Sequence, residues 1–193
     1  MIDWSDTRLA YTALVGLFAV MRIIELAVSK RNVKRLLDSG AVEVGRTLYP
    51  RMVTVHTLFL IACVVELWLL GRPFLPLLAW SSLGALVGAV TLRWWVMATL
   101  GERWSTRVMI MPGAAPITRG PFRRLRHPNY LAVIIEFIAL PLVHTAWATA
   151  IVFSLLNAFV LRSRIRTEES ALAEHGNYHE VMGRRPRFVP GAE

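Results

Sequence analysis

Arg126-His127-Pro128-Asn129-Tyr130, and the stretch from Arg162 to His175 that carries Glu168 and Glu169, hold the side chains best suited to chemistry in this chain. Arg164 and Glu168 are four residues apart, so a continuous helix sets them on one face. That pair has two readings. As an exposed ion pair it contributes only ~0.3–0.5 kcal/mol. As part of a site, Glu168 accepts hydrogen bonds from ribose or amino groups and Arg164 orients an anionic acceptor. Glu169 points elsewhere and suits a structural partner for a loop arginine. His127 precedes a proline, which biases its backbone to an extended conformation and lets the ring project from a turn; the alternative is a surface or capping histidine. Tyr130 opens an apolar run, where an interfacial anchor is the alternative. Both stretches are polar and adjoin apolar segments, a setting that lipid does not tolerate unless the side chains bind something. They point to a cofactor pocket at the cytosolic rim of a small integral membrane enzyme.

The elements that must position these residues are membrane helices. The chain has 193 residues, 55% of them hydrophobic and 18% charged, with mean hydropathy +0.47. Soluble domains average about 25% charged residues. The net charge of +9 raises the question of nucleic acid. Its Lys and Arg, however, sit in short clusters between apolar runs, as in cytosolic loops of membrane proteins, so no nucleic-acid partner is expected. The single Cys63 lies in an apolar run, which excludes an intramolecular disulfide framework or a thiolate metal cage.

An apolar helix needs about 20 residues to cross the hydrocarbon core. Leu9 to Val28, Met52 to Leu70 and Phe74 to Leu100 are three such runs. Tyr130 to Val143 and Ala146 to Leu161 form two more, joined by His144-Thr145. The fourth run is short and has Pro141 near its end. The expectation is an all-α integral membrane protein: one domain over residues 1–193, about five transmembrane helices, a cytosolic catalytic loop and a C-terminal helix. Four crossings with a re-entrant hairpin is the alternative. The first run has Asp3 and Asp6 ahead of it and Lys30-Arg31 after it, and reads as a retained anchor rather than a cleaved signal. The intervals after runs one and three, and the tail, hold most of the arginines; the opposite side has only Arg8 and Arg72. Five crossings with the amino terminus outside put all three basic segments, and both polar stretches, in the cytosol. Pro112-Gly113, Gly120-Pro121 and His127-Pro128 make the third interval a folded loop. The tail helix ends near Gly176, and a shorter helix follows through Tyr178 to Met182.

Arg22, Glu25, His56, Glu66, Arg93, Glu136 and Asn157 are polar in apolar surroundings. A charged group costs at least ~2.5–3.5 kcal/mol near a helix centre, so each is a functional candidate. Arg22 and Glu25 are three apart and can pair. Arg93 is placed to snorkel, and Glu66 to be solvated near the outer face. Glu136 and His56 lie deeper with no local partner, and either touch a substrate or pair between helices. No dinucleotide-binding glycine fingerprint, phosphate-binding Walker loop, zinc-type His-Glu-x-x-His or serine-hydrolase elbow occurs.

The chain resembles the isoprenylcysteine carboxyl methyltransferase family of integral membrane enzymes. The residues concerned are Leu100-Gly101, Trp104-Ser105, Gly120-x-Phe122 and Arg126 to Tyr130, then Arg164, Glu168-Glu169, Leu172 and Gly176-x-Tyr178, within roughly Leu100 to Val189. The resemblance implies S-adenosylmethionine held by the loop and the last long helix. The cofactor-facing positions would be Ala114, Ala115, Pro116, Ile117, Phe122, His127, Pro128, Asn129, Tyr130 and Glu168, with Arg164 facing an acceptor that enters from the lipid. Phe122 stands where the family often has tyrosine, so a hydroxyl contact is missing there. Arg22-x-x-Glu25-Leu26 with Ser29-x-Arg31-Asn32 resembles a bacterial branch associated with type III polyketide synthases, which implies O-methylation of long-chain alkylpyrones or alkylresorcinols. Arg164 would favour the acceptor's anion, and Glu136 or His127 would assist deprotonation of a neutral phenol. The rivals are carboxyl methylation of prenylated or other lipid acceptors, an NADPH-dependent membrane reductase, and a small transporter lined by the intramembrane charges.

Overall fold

The computed structural model describes residues 4–188; Asp3 and Val189, named above, lie outside the described residues. The helices are α1 (Trp4–Asp38), α2 (Leu48–Leu70), α3 (Pro76–Leu100), α4 (Pro128–Leu142), α5 (Trp147–Glu174) and α6 (Tyr178–Met182). Four of them, α1, α2, α3 and α5, are long and apolar enough to cross a membrane. The 15 residues of α4 rise about 22 Å, short of a hydrocarbon core of ~30 Å. The chain is an all-α membrane protein with one small addition, an antiparallel pair of β1 (Val42–Val44) and β2 (Val108–Ile110). Three-residue strands in polar intervals are too short to carry a two-residue periodicity, and the sequence gives no sign of them.

Local rules set the helix ends. Pro76 and Pro128 each stand in the first turn of a helix, where the missing N–H costs nothing. α1 has 35 residues and is about 52 Å long, so its basic end continues past the bilayer to meet the third interval. Outward-facing Leu17, Val20, Leu69, Leu77, Val87, Leu155 and Phe159 are exposed, as a lipid-facing belt requires. The core between the helices holds Tyr11, Val15 and Phe18 of α1, Cys63 and Leu67 of α2, Leu86 of α3 and Leu140 of α4. Phe59 stacks on Phe137 within it, centroids 4.1 Å apart.

Two of the intramembrane charges are placed differently from expectation. Arg93 does not snorkel: it is buried and donates from Nη2 to Glu136 Oε2 at 2.5 Å and from Nε to Oε1 at 3.1 Å. Glu136 also accepts from Arg22 Nη2 at 3.0 Å, and Arg22 Nη1 donates to Glu25 Oε2 at 2.6 Å. Two arginines and two glutamates thus cancel one another across α1, α3 and α4. Partners from other helices stabilise Arg93 better than a reach to the interface could.

Glu66 is likewise not solvated. It is buried and accepts from Ala148 N at 3.2 Å, Thr149 N at 2.6 Å and Arg72 Nε at 2.8 Å. Its carboxylate satisfies free N–H groups in the first turn of α5, where the helix dipole favours an anion. Glu66→Ala should therefore lower the stability of the detergent-solubilised protein by about 2 kcal/mol, read as a lower melting temperature; an unchanged midpoint would show that the cap contributes nothing.

Candidate active site

The basic ends of the helices converge on the third interval. Asn32 of α1 donates Nδ2 to Trp104 O at 2.9 Å and to Gly101 O at 3.3 Å, and Ser29 Oγ meets Thr106 Oγ1 at 2.8 Å. These contacts give Ser29-x-Arg31-Asn32 a mechanical role, since it clamps the loop onto α1. The sheet adds a second tie, reinforced by Arg107 Nη1 on both oxygens of Glu43 at 3.0 Å. At Gly120 the backbone is left-handed, φ 57°, and a Cβ there would lie 2.5 Å from Thr99 Oγ1. Only glycine lets the short 3-10 turn Gly120–Arg123 pack so closely on α3.

The motif Arg126 to Tyr130 is fixed from three sides. Arg126 N and His127 N donate to Pro186 O and Arg187 O of the tail, at 3.0 and 3.2 Å. Glu169 gathers His127 Nε2 at 2.9 Å, Arg187 Nη2 at 2.5 Å and Arg126 Nη1 at 3.3 Å. It is a structural partner of loop and tail arginines, as its place on the helix suggested. Hydrogen bonding to Glu169 holds the Arg187 guanidinium above its ordinary range. Burial, with help from the Glu168 and Glu169 carboxylates, raises the Tyr178 phenol above the usual tyrosine range, so its hydroxyl stays neutral.

Arg164 and Glu168 do share a face, but they meet through a third residue. Arg164 Nε donates to Tyr130 Oη at 2.8 Å, and the Tyr130 hydroxyl donates to Glu168 Oε2. Arg164 Nη2 is further held by Thr106 O at 2.6 Å, and Nη1 lies 2.9 Å from Met52 Sδ. A buried guanidinium held by three other parts of the chain cannot sweep through solvent as an exposed ion pair does. Neither Met52 nor the Thr106 carbonyl carries a sequence signal for this duty, because each acts only through tertiary placement.

Two cavities meet at this arginine. The outer one, about 210 Å³, is lined by Ala114, Ala115, Pro116, Ile117, Phe122, His127, Pro128, Asn129, Tyr130 and Glu168, with Arg164 at its back. Every position named from the sequence as cofactor-facing therefore lies on one wall system. Leu172, Tyr178 and Met182 complete it; the sequence offered Gly176-x-Tyr178 as a motif but no role for these side chains. The inner cavity, about 110 Å³, runs into the helix bundle past Arg22, Glu25, His56 and Asn157. Trp104, Ser105, Asn129, Tyr130 and Arg164 line both.

His127 reaches the outer cavity, but Glu136 does not. It lies deeper, beside His56 and Phe137, with its oxygens committed to Arg22 and Arg93. The proton-accepting part suggested for Glu136 is corrected on that ground: a carboxylate bonded to two guanidiniums is a poor base. His56 lines the inner cavity and makes its own contact from Nδ1 to Met52 O at 2.9 Å.

Comparison with known proteins agrees with this geometry. Residues 82–174 match the Isoprenylcysteine carboxyl methyltransferase (ICMT) family, a stretch that begins in α3 and ends with α5. The chain is 34% identical over 163 residues to the uncharacterized protein YpbQ of Bacillus subtilis, covering 84% of this chain and 96% of that one. It is 30% identical over 156 residues to an uncharacterized protein of Haemophilus influenzae, covering 79% and 89%. The chain belongs to the isoprenylcysteine carboxyl methyltransferase family, and that membership makes it a membrane methyltransferase. Enzymes of the family take the methyl group from S-adenosylmethionine.

Glu136→Ala should cost about 3–5 kcal/mol of stability by leaving two buried guanidiniums short of an anion. Thermal unfolding in detergent would show it, and a melting point equal to that of the parent would return Glu136 to the list of chemical candidates.

Proposed function

We propose that this protein transfers a methyl group from S-adenosylmethionine to an oxygen of a lipophilic acceptor drawn from the bilayer. The acceptor indicated by the front half of the sequence is the hydroxyl of a long-chain alkylpyrone or alkylresorcinol. One observation carries the reading: Arg164 stands at the wall between an outer cavity at the basic rim and an inner cavity within the helices.

The outer cavity suits the donor. Asn129 Oδ1 is buried there with no hydrogen-bond partner among the described residues, and an adenosine or amino N–H would satisfy it. Glu168 offers a carboxylate to ribose hydroxyls or an ammonium, Phe122 and Ile117 offer apolar surface to a base, and the small side chains of Ala114 and Ala115 leave room beside their backbone. When bound, S-adenosylmethionine supplies an activated methyl carbon, which an oxygen lone pair attacks in line while the carbon–sulfur bond breaks and its electrons stay on sulfur.

The protein's own residues then do three things. Tyr130 and Asn129, common to both cavities, align the two reactants, and alignment alone is worth ~7–11 kcal/mol of barrier in favourable cases. Arg164 stabilises the acceptor as an oxyanion, most effectively in a site shut from water. His127 donates from Nε2 to Glu169 in the tautomer that leaves Nδ1 as a proton acceptor, and it takes the proton of a neutral phenol. The bundle itself excludes water.

With the basic intervals on the cytosolic side of the cell membrane and the amino terminus outside, this site lies at the cytosolic face. The acceptor and the membrane lipids are its partners, and nucleic acid is not.

Calorimetry on the solubilised protein should show binding of S-adenosylmethionine and none of NADPH; the reverse would favour a reductase. Glu168→Gln should weaken cofactor binding by about 1.5–3 kcal/mol with the melting temperature little changed, and parental affinity would remove Glu168 from the site. Arg164→Ala should lower turnover about a hundredfold or more, well beyond any change in cofactor affinity, measured with labelled methyl donor and lipid extract. Full turnover would end the acceptor role.

A further inference from the structure

α5 carries one stripe that runs from the cofactor rim into the bundle and is buried from Arg164 inward. Glu168, Arg164, Leu161 and Asn157 follow at spacings of four, three and four, so they share a face. Glu168 and Arg164 belong to the outer cavity and its boundary. Asn157, two turns or about 10 Å below Arg164, has no assigned part.

Its surroundings are unusual for an amide in a membrane span. Asn157 is 2% exposed, and among the described residues its side chain makes no hydrogen bond, although an amide brings two donors and two acceptor lone pairs. It lies on the inner cavity. Lipid offers no substitute partner, so the amide's hydrogen-bonding capacity is open only to what enters the cavity. A second unmet group lies on the same wall: Glu25 Oε1 is buried without a donor, while its Oε2 is held by Arg22. Arg93 and Glu136, by contrast, satisfy each other. With Trp104 Nε1 and Asn129 Oδ1, four polar groups thus lack partners among the described residues, and all four line the cavity that Arg164 closes.

We propose that Asn157 is a specificity-determining residue that reads a second oxygen on the acceptor ring, distinct from the oxygen that Arg164 presents for methylation. This rests on the oxygen-methylation reading above and sharpens its substrate class. The ligand is a ring with at least two polar substituents, one of them a hydroxyl or ring oxygen that the amide can meet, and Glu25 lies within the same wall to accept from a further hydroxyl. A prenyl or acyl chain with a single terminal carboxyl would bring nothing for the amide to bind. Its hydrocarbon part has a separate place, because Asn157 and Leu161 also line an outward groove of about 430 Å³ between α4 and α5, walled by Ile134, Phe137 and Ala158.

The test compares Asn157→Leu with the parent, both in lipid nanodiscs, using a short-chain alkylresorcinol and the alkylphenol that lacks its second hydroxyl. Methyl transfer from labelled donor and acceptor binding by calorimetry are both read. The parent should favour the dihydroxy acceptor by about tenfold or more in kcat/KM and in affinity. In Asn157→Leu that preference should fall to about one, with S-adenosylmethionine affinity unchanged. The variant without acceptor should melt at or above the parent's temperature, because a buried amide with no partner has been replaced by an apolar side chain of similar size. Undiminished preference in the variant overturns the assignment while leaving the methyltransferase reading intact. A lower melting temperature with loss of binding overturns it as well, by making the amide structural. Cofactor binding without transfer to either phenol overturns the acceptor class and this inference together.

Discussion

A bilayer supplies neither counter-ions nor hydrogen bonds, so each charge this chain places between its helices must be answered by another charge of the same chain. Arg22, Glu25, Arg93 and Glu136 answer one another across α1, α3 and α4, and Glu66 answers Arg72 and the first turn of α5. Attraction at short range in a low dielectric offsets the several kcal/mol of desolvation that each ion costs. The pairs also fix orientation. α4 cannot turn about its axis without parting Glu136 from two arginines, and α5 cannot slide without uncapping its start. The direction in which α4 and α5 present the ends that carry the site follows from those locks.

The site is built at those ends, and its order is that of a relay of hydrogen bonds. Thr106 O and Met52 Sδ hold Arg164, Arg164 holds Tyr130, and Tyr130 donates to Glu168. A parallel set runs from the tail through Arg187 and Glu169 to His127. Each polar group on the rim is thereby oriented before any ligand arrives, which is what a methyl transfer demands of its protein. Among the described residues, several unpaired atoms line the two cavities: Asn129 Oδ1, Glu25 Oε1 and Trp104 Nε1 are buried without partners, and the Asn157 side chain makes no hydrogen bond. Hydrogen-bonding capacity is thus left open where the two cavities meet. That open capacity is the physical basis for reading the region as a place for two reactants.

Several features were legible before any coordinates. Hydropathy and length give five apolar runs, since transfer of apolar side chains into lipid is nearly independent of their neighbours; four are helices long enough to cross, and the run that became α4 is too short. The proline at the start of α4, the end of α5 near Gly176 and the short helix Tyr178–Met182 follow from local turn chemistry. Resemblance to the methyltransferase family supplied the list of side chains that line the outer cavity. The strands β1 and β2 were not legible, being only three residues each. Nor were the partners of Arg93, Glu136 and Glu66, as each is paired across helices at separations of 43 and 83 residues in the chain.

What the sequence determined by itself was which segments enter lipid, which ends are basic and which residues carry polar chemistry. All of these depend on the free energy of single side chains or short segments in water or in hydrocarbon. What only the tertiary structure decided was who answers whom. Arg164 became a fixed boundary rather than an exposed ion pair because Tyr130, Thr106 and Met52 arrived from three other parts of the chain. Glu136 became a strut and Asn157 remained unpaired through the same packing of α1, α3, α4 and α5. Pairing energies in a medium of low dielectric fall steeply with distance and angle, so they are settled only when distant helices are brought within about 3 Å of one another.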